Sequence, residues 1–147
     1  MKMFLIKGVP GSGKSTLAKE IASKNDAVMI AADDFFTIHG KYMFDGKYIS
    51  HAHKWCQGMA AYHLFRGDSV VIHNTFVKAW ECQAYCELAH SIKIEWEILE
   101  PPTKWRYDAQ KCFEKNTHGV PLATIERMLK DWETTSMIER VLGKYRL

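Results

Sequence analysis

A glycine-rich segment near the start of the chain has the residue types and the spacing needed to hold a phosphate. Residues 8–16 fit the P-loop pattern G-x-x-x-x-G-K-[ST]. Its glycines let successive backbone N–H groups point at one phosphate, and a following helix adds the positive end of its dipole. Lys14 can reach the outer phosphates of a nucleoside triphosphate, and the Ser15 hydroxyl can bind Mg²⁺. The predicted nucleotide-binding residues are Gly8, Val9, Pro10, Gly11, Ser12, Gly13, Lys14, Ser15 and Thr16.

The sequence on both sides of this loop has the pattern of a strand followed by a helix. Residues 3–6 form an apolar run with the length and composition of a buried strand. After the loop, apolar residues recur at helical spacing, and Glu20 and Lys24 form an i,i+4 pair on the predicted wet face. An ordinary glycine turn between a strand and a helix is the alternative interpretation. The four fixed positions of the pattern, in this context, favour the P-loop.

Two adjacent carboxylates, Asp33 and Asp34, follow the next apolar run, at residues 27–32. In an open parallel sheet, ligands bind outside the carboxyl ends of the strands, so we expect these carboxylates to face the same crevice as the P-loop. Phosphoryl transfer needs a carboxylate that aligns and deprotonates the acceptor. We predict that one of the two is this base and that the other only caps the following segment.

Further strands and helices alternate along the rest of the chain. We predict a third strand at 69–72 and a fourth at 92–99, and helices at about 51–66, 78–90, 105–116, 122–133 and 138–142. Strands that alternate with helices indicate an α/β fold in which a parallel sheet lies between two layers of helices.

Composition restricts the class of protein. At 147 residues, with 47% hydrophobic and 25% charged residues, the chain is expected to form one domain, residues 1–147. No apolar stretch is long enough to cross a membrane and no signal-peptide pattern is present, so we expect a cytoplasmic protein without a membrane partner. Residues 101–147 carry 9 Lys and Arg against 6 Asp and Glu, which indicates either an anionic partner or solvated helix faces.

Several motifs together are similar to one known family. Residues 8–16, the Asp33–Asp34 pair with its flanking aromatic residues, and the later segment 116–121 resemble the P-loop polynucleotide kinase-like family. Residues 42–45 and Asn74 with Thr75 are similar to its animal branch. The resemblance extends from residue 4 to about residue 133.

The resemblance implies a fold, cofactors and site residues. The fold would be that of a P-loop kinase, with its four-stranded parallel sheet in the order 2-3-1-4 and a helical lid at about 105–121. The cofactors would be ATP and Mg²⁺, and Asp33 would be the general base. The lid would supply a cation, for which Lys115 is the best match, with Arg106 and Lys111 nearby. Asp34, Phe36 and Asn74 would lie at the acceptor-binding site.

Three positions differ from the family pattern. His73 stands where the family carries an aspartate that orients a magnesium-bound water, and imidazole is a poor partner for this hard cation. Phe36 stands where an arginine of the phage members clamps the phosphate of the acceptor. Lys115 replaces a lid arginine and keeps its charge without the planar fork. These differences leave the identity of the acceptor open.

Two further features surround the expected acceptor site. Aromatic residues between positions 35 and 48 either stack a nucleobase or form a small core beneath a loop. His118, beside Gly119 in the lid segment, is expected to hold the lid hinge by a hydrogen bond.

The predicted function is transfer of the γ-phosphate of ATP to a hydroxyl of a nucleic acid end or a nucleotide. One alternative is a P-loop kinase that acts on another hydroxyl, such as that of a modified DNA base or a nucleoside. A second alternative is an ATP-binding module with weak turnover. The sequence leaves open which acceptor is used and which oligomeric state the protein adopts.

Overall fold

The computed structural model describes residues 1–147 and contains two sheets and six α-helices. In chain order the elements are β1 (Lys2–Lys7), α1 (Lys14–Asn25), β2 (Ala27–Ile30), β3 (Thr37–Ile38), β4 (Lys41–Tyr42), α2 (Ile49–Phe65), β5 (Ser69–Asn74), α3 (Ala79–Ser91), β6 (Glu95–Leu99), α4 (Ala109–Lys115), α5 (Leu122–Lys130) and α6 (Thr135–Leu142). The main sheet is parallel, in the order β2-β5-β1-β6. This is the predicted order of the four long strands, and the predicted α/β fold is confirmed.

Alternation along the central strand β1 divides the core into two layers. Met3 and Leu5 are fully buried against the helices on one face of the sheet, while Phe4 and Ile6 are buried on the other. Helix α1 covers the Phe4 face, and α2, α3 and α6 cover the Met3 face. None of the helices has the length and apolar character that a membrane span requires. Because both faces are covered, the sheet presents ligand-binding loops only at its ends.

A third, smaller group of buried side chains lies over the loop between β1 and α1. Its centre consists of Val9, Cys112 from α4 and Ile125 from α5. Trp105 and Trp132 pack against this group. The C-terminal third of the chain is thereby fixed to the P-loop by apolar contacts.

Several predicted boundaries were wrong by two residues or more, and three of them have a clear local reason. Strand β2 ends at Ile30, because the chain turns at once into a 3₁₀ helix over Ala32–Phe36. Strand β6 begins at Glu95 instead of residue 92, because α3 continues to Ser91 and Lys93 has a φ of 60°. Helix α4 begins only at Ala109, after the Asp108 side chain accepts a hydrogen bond from the Lys111 N–H at 3.1 Å.

A short hairpin, β3–β4, occupies the region that the sequence indicated only as a loop. His39 and Gly40 connect its strands with φ values of 49° and 78°. Positive φ at both central residues is the requirement of a type I′ hairpin turn. The hairpin places Tyr42 beside the 3₁₀ helix that carries Asp33.

Candidate active site

The P-loop backbone connects β1 to α1 and leaves a helix N-terminus free for an anion. Gly13 precedes α1 with a φ of 100°, and no side chain caps the first turn of the helix. The Gly8 N–H donates to the Thr75 carbonyl at 3.2 Å, which fixes the loop to the end of β5. Unpaired N–H groups at a helix N-terminus, with the positive end of the dipole, form an anion-binding site.

The segment that precedes α4 packs directly on the backbone of the P-loop. The Trp105 indole N–H donates to the Gly11 carbonyl at 3.1 Å, and the Thr103 hydroxyl donates to the Ser12 carbonyl at 2.7 Å. Gly11 has a φ of 80°, and a Cβ atom there would overlap the Cys112 carbonyl oxygen. Only glycine fits this approach of two backbones.

A cavity of about 470 Å³ opens beside the P-loop, within the range typical of small-molecule sites. Polar side chains from several segments of the chain line it, among them Lys14, Ser15, Asp33, His53, His73, Asn74, Asn116, His118 and Arg127. Phe36, Tyr42 and Phe44 form an aromatic wall. A smaller crevice of about 260 Å³, against Trp96 and Arg146, contains none of the predicted site residues.

Burial changes the pKa values of the ionisable groups nearest the P-loop. Burial lowers the pKa of Lys14, and Asp33 opposes this shift because its negative charge favours the ammonium form. Burial and the nearby Lys14 lower the pKa of His73 to about 4, against the opposing effect of Asp33. His73 is therefore neutral at pH 7 and adds no positive charge at this end of the cavity.

Asp33 receives two hydrogen-bonding partners from outside its own helix. Its Oδ1 accepts from the Tyr42 hydroxyl at 3.0 Å, and its Oδ2 lies 3.1 Å from Nδ1 of His118. Burial and the adjacent Asp33 raise the pKa of Tyr42, which therefore stays protonated as a donor. The carboxylate lines the cavity, so it faces the P-loop side as the sequence predicts.

The residues predicted to bind the acceptor have different positions. The Asp34 carboxylate accepts from the Ala31 N–H at 3.0 Å and does not line the cavity. Burial raises the pKa of Asp34. Asn74 is 7% exposed, and its Oδ1 accepts from the Ala32 N–H at 2.9 Å, so it fixes the segment that carries Asp33. Phe36 is buried and packs edge-to-face on Phe44 at a centroid distance of 5.1 Å.

The fold places the positively charged side chains of the C-terminal third at different positions relative to the cavity. The Lys115 ammonium lies 4.5 Å from the centroid of the Trp105 ring and does not line the cavity. Arg106 donates to the Thr103 carbonyl at 2.8 Å. Arg127, which belongs to none of the sequence motifs, lines the cavity from α5. The sequence feature that could have indicated Arg127 is its i, i+3 spacing from Thr124, which places both residues on one face of the helix.

The donor set beside Lys14 suits a magnesium ion that enters with a nucleotide. Ser15 and Asp33 offer oxygen atoms to the cavity. Mg²⁺ takes one or two protein oxygens together with phosphates and water, so these residues fit the ion. No group of three or more His, Cys, Asp and Glu side chains is arranged to hold a metal by itself.

Comparison with known proteins identifies the family. A family model described as "AAA domain" matches residues 3–134. The chain belongs to this family. It is a P-loop kinase-like AAA domain, and the resemblance to the polynucleotide kinase-like family is confirmed.

Two curated proteins illustrate the relatives of this AAA domain. Human NEDD4-binding protein 2 is 37% identical over 133 residues, a match that covers 89% of this chain and 8% of the relative. Rat 2′,3′-cyclic-nucleotide 3′-phosphodiesterase is 29% identical over 129 residues, which cover 86% of this chain and 30% of the relative. The chain thus spans a minor part of both relatives.

Solved structures agree on the fold. A chain of the Pnkp1/Rnl/Hen1 RNA repair complex superposes with a TM-score of 0.64 at 22% identity, over 88% of this chain and 43% of that one. A sugar kinase from Janibacter sp. HTCC2649 gives a TM-score of 0.64 at 16% identity, over 97% and 93% of the two chains. At these identities the similarity establishes the P-loop kinase fold of the domain.

Proposed function

We propose that the protein transfers the γ-phosphate of ATP to a hydroxyl group of a nucleic acid end or a nucleotide. The observation that carries the proposal is the presence of Lys14 and Asp33 in one cavity directly beside the P-loop. A cation for the phosphates and a carboxylate for the acceptor are the two protein groups that phosphoryl transfer requires in one place.

The residues of the cavity would divide the reaction between them. The P-loop N–H groups and Lys14 would bind the phosphates, and Ser15 would hold Mg²⁺, which neutralises charge on the β- and γ-phosphates when bound. The acceptor oxygen would attack the γ-phosphorus while the bond from phosphorus to the ADP oxygen breaks. Asp33 would take the proton of the acceptor hydroxyl, and ADP would leave. Arg127 would stabilise charge on the transferring group.

The acceptor side of the cavity favours a nucleotide or nucleic acid. Phe44 lines this side and is 55% exposed, and exposed aromatic rings stack on bases. One relative is named for its action on cyclic nucleotides, and one structural neighbour belongs to an RNA repair complex. These names are consistent with the proposed acceptor class.

The decisive experiment measures transfer of label from γ-labelled ATP, with Mg²⁺, to a panel of acceptors. The panel contains 5′-hydroxyl RNA and DNA oligonucleotides, oligonucleotides with hydroxymethylated bases, free nucleosides and simple sugars. The proposal predicts label on a nucleic acid end or nucleotide, and loss of about 10²-fold or more of the rate in Asp33→Asn with ATP binding retained.

Other outcomes of this experiment would change the proposed acceptor or the proposed function. Label only on a modified base or a nucleoside would keep the reaction and change the acceptor. Label only on a sugar would reject the proposed acceptor class. ATP binding without transfer to any acceptor would favour an ATP-binding module, and neutral His73 would then be the first position to replace by aspartate.

A further inference from the structure

Two segments that are distant in sequence meet at the Asp33 carboxylate. Tyr42, from the β3–β4 hairpin, donates to Oδ1 at 3.0 Å, and Nδ1 of His118, from the loop 116–121, lies 3.1 Å from Oδ2. The rings of Tyr42 and His118 stack on each other at a centroid distance of 4.3 Å and an interplanar angle of 14°. The three side chains therefore form one contact group between the acceptor side and the lid.

This arrangement fixes the carboxylate without consuming its capacity to accept a proton. A carboxylate offers about four lone-pair sites, of which the two contacts occupy one on each oxygen. A lone pair on each oxygen stays available for an acceptor hydroxyl. Two donors on opposite oxygens restrict rotation of the carboxylate plane, and alignment of a base with its substrate is a large part of its catalytic effect.

The loop that carries His118 is itself connected to the P-loop. Asn116 accepts from the Val120 N–H at 2.9 Å and donates to the Phe113 carbonyl at 2.7 Å, which joins the loop to the end of α4. Helix α4 packs on Gly11 through Cys112. A continuous series of contacts therefore leads from the phosphate-binding loop to the carboxylate.

Resting on the proposed function, we infer that Tyr42 and His118 are positioning residues that orient Asp33. The loop 116–121 lines the cavity next to the P-loop, so the segment that presents His118 belongs to the same site as the phosphate-binding residues.

The exposure of the pair makes the inference testable by mutation. The side chains of His118 and Asp33 are 40% and 47% exposed, so neither anchors the core. Replacing them is expected to leave the fold intact, because surface substitutions change stability little. Tyr42→Phe removes the hydroxyl and keeps the ring that stacks on His118. His118→Asn keeps a donor near the position of Nδ1, whereas His118→Ala removes it.

The first test is a double-mutant cycle on the transfer reaction. His118→Ala and Tyr42→Phe are each expected to lower kcat about tenfold or more, while KM for ATP changes less than about threefold. In the Asp33→Asn background the same changes should have no further effect, because they act through Asp33. His118→Asn should recover most of the rate. Full activity of His118→Ala, or effects that multiply with Asp33→Asn, would overturn the inference and leave the proposed function in place.

The second test does not depend on activity. Nitrogen NMR of the imidazole groups, with His118→Ala used to assign the signal, reports which ring nitrogen of His118 carries a proton. Protonated Nδ1 is expected in the wild type, with a shift toward protonated Nε2 in Asp33→Ala. No change on Asp33→Ala would overturn the pairing. A wild-type protein that showed the pairing and transferred no phosphate would contradict the proposed function and keep the contact.

Discussion

The two ends of the cavity are built in different ways. On the nucleotide side, Val9 and Ser12 are 0% and 1% exposed, and Trp105 and Thr103 bond to the loop carbonyls from above. On the acceptor side, Tyr42 ends the second strand of the β3–β4 hairpin and Phe44 lies in the loop that follows. Their exposed fractions are 36% and 55%. The same cavity thus has one wall made of packed backbone and another in which exposed side chains lie over the buried Phe36 ring.

The difference follows from what each wall would bind. A triphosphate is recognised by backbone N–H groups whose directions must be fixed, and fixed directions need close packing. An acceptor is recognised by side chains on segments with few buried contacts, which open at low free-energy cost and vary readily. A change in the packed wall should therefore damage binding and stability together. A change in the exposed wall should affect substrate use alone.

The sharpest test of this contrast compares two glycines with nearly the same positive φ. Gly11 and Gly40 have φ values of 80° and 78°, but a Cβ at Gly11 would overlap the Cys112 carbonyl, whereas nothing lies within 4 Å at Gly40. We expect Gly11→Ala to cost about 3 kcal/mol or more, since backbone strain and overpacking add, and to abolish ATP binding. Calorimetric unfolding and ATP titration measure both effects.

Gly40→Ala is the matched control, with backbone strain alone. It should cost about 1 kcal/mol and leave ATP binding unchanged. Equal effects at the two positions would show that the nucleotide side is no more tightly packed than the hairpin.

The second prediction concerns which cation would stabilise the transferring phosphate in the proposed reaction. Arg127 lines the cavity and Lys115 lies on Trp105, so Arg127→Met should lower the transfer rate about 10²-fold while Lys115→Met changes it less than about threefold. Steady-state rates at saturating ATP measure the two variants. A larger loss in Lys115→Met would mean that the lid moves Lys115 into the cavity during turnover, as the sequence pattern implies.

The third prediction uses a lysine buried behind the nucleotide wall. Lys7 is fully buried, donates to the Phe76 carbonyl at 2.9 Å and lies 3.3 Å from the centroid of the Trp132 ring. Burial lowers its pKa from 10.5 to about 8, against the attraction of nearby acidic groups such as Glu100. Between these two pH values the unfolded chain holds a proton that the folded protein has released.

The free energy of unfolding should therefore rise with pH between about 8 and 10.5, by up to about 1.4 kcal/mol per pH unit from this group. Below pH 8 both states are protonated, and the cost of burying the charge is fully present. Urea unfolding across this window should show the rise in the wild type and its loss in Lys7→Met. Lys24→Met, which removes an exposed ion pair, should keep the rise.

The smallest effect is expected at Asp34, which caps the 3₁₀ helix through the Ala31 N–H. Asp34→Ala should cost about 1 kcal/mol of stability, while Asp34→Asn keeps the cap and costs less. Neither change should alter KM for the acceptor if the residue only supports Asp33. A higher acceptor KM in Asp34→Asn, at unchanged stability, would restore the acceptor-binding role that the resemblance implies.

Local patterns predicted the parts of the protein that local forces determine. The P-loop was visible because its glycines, Lys14 and Ser15 are adjacent in sequence. The parallel sheet followed from strands alternating with helices, and its strand order came from the family resemblance. The boundary of β2 was missed because Asp34 bonds back to Ala31 and starts a 3₁₀ turn, a competition that apolar periodicity does not register. The start of β6 was missed for a similar reason, the left-handed turn at Lys93.

The sequence by itself determined the phosphate loop and the family, because short motifs of adjacent residues carry them, and the resemblance to the family then supplied the candidate base Asp33. Only the tertiary structure brought Tyr42 and His118 to Asp33, and Arg127 in place of Lys115 to the cavity. These contacts depend on how α4 and α5 pack over the P-loop around Val9, Cys112 and Ile125. Such packing is the sum of many weak apolar contacts between distant segments, and no single spacing in the sequence encodes it.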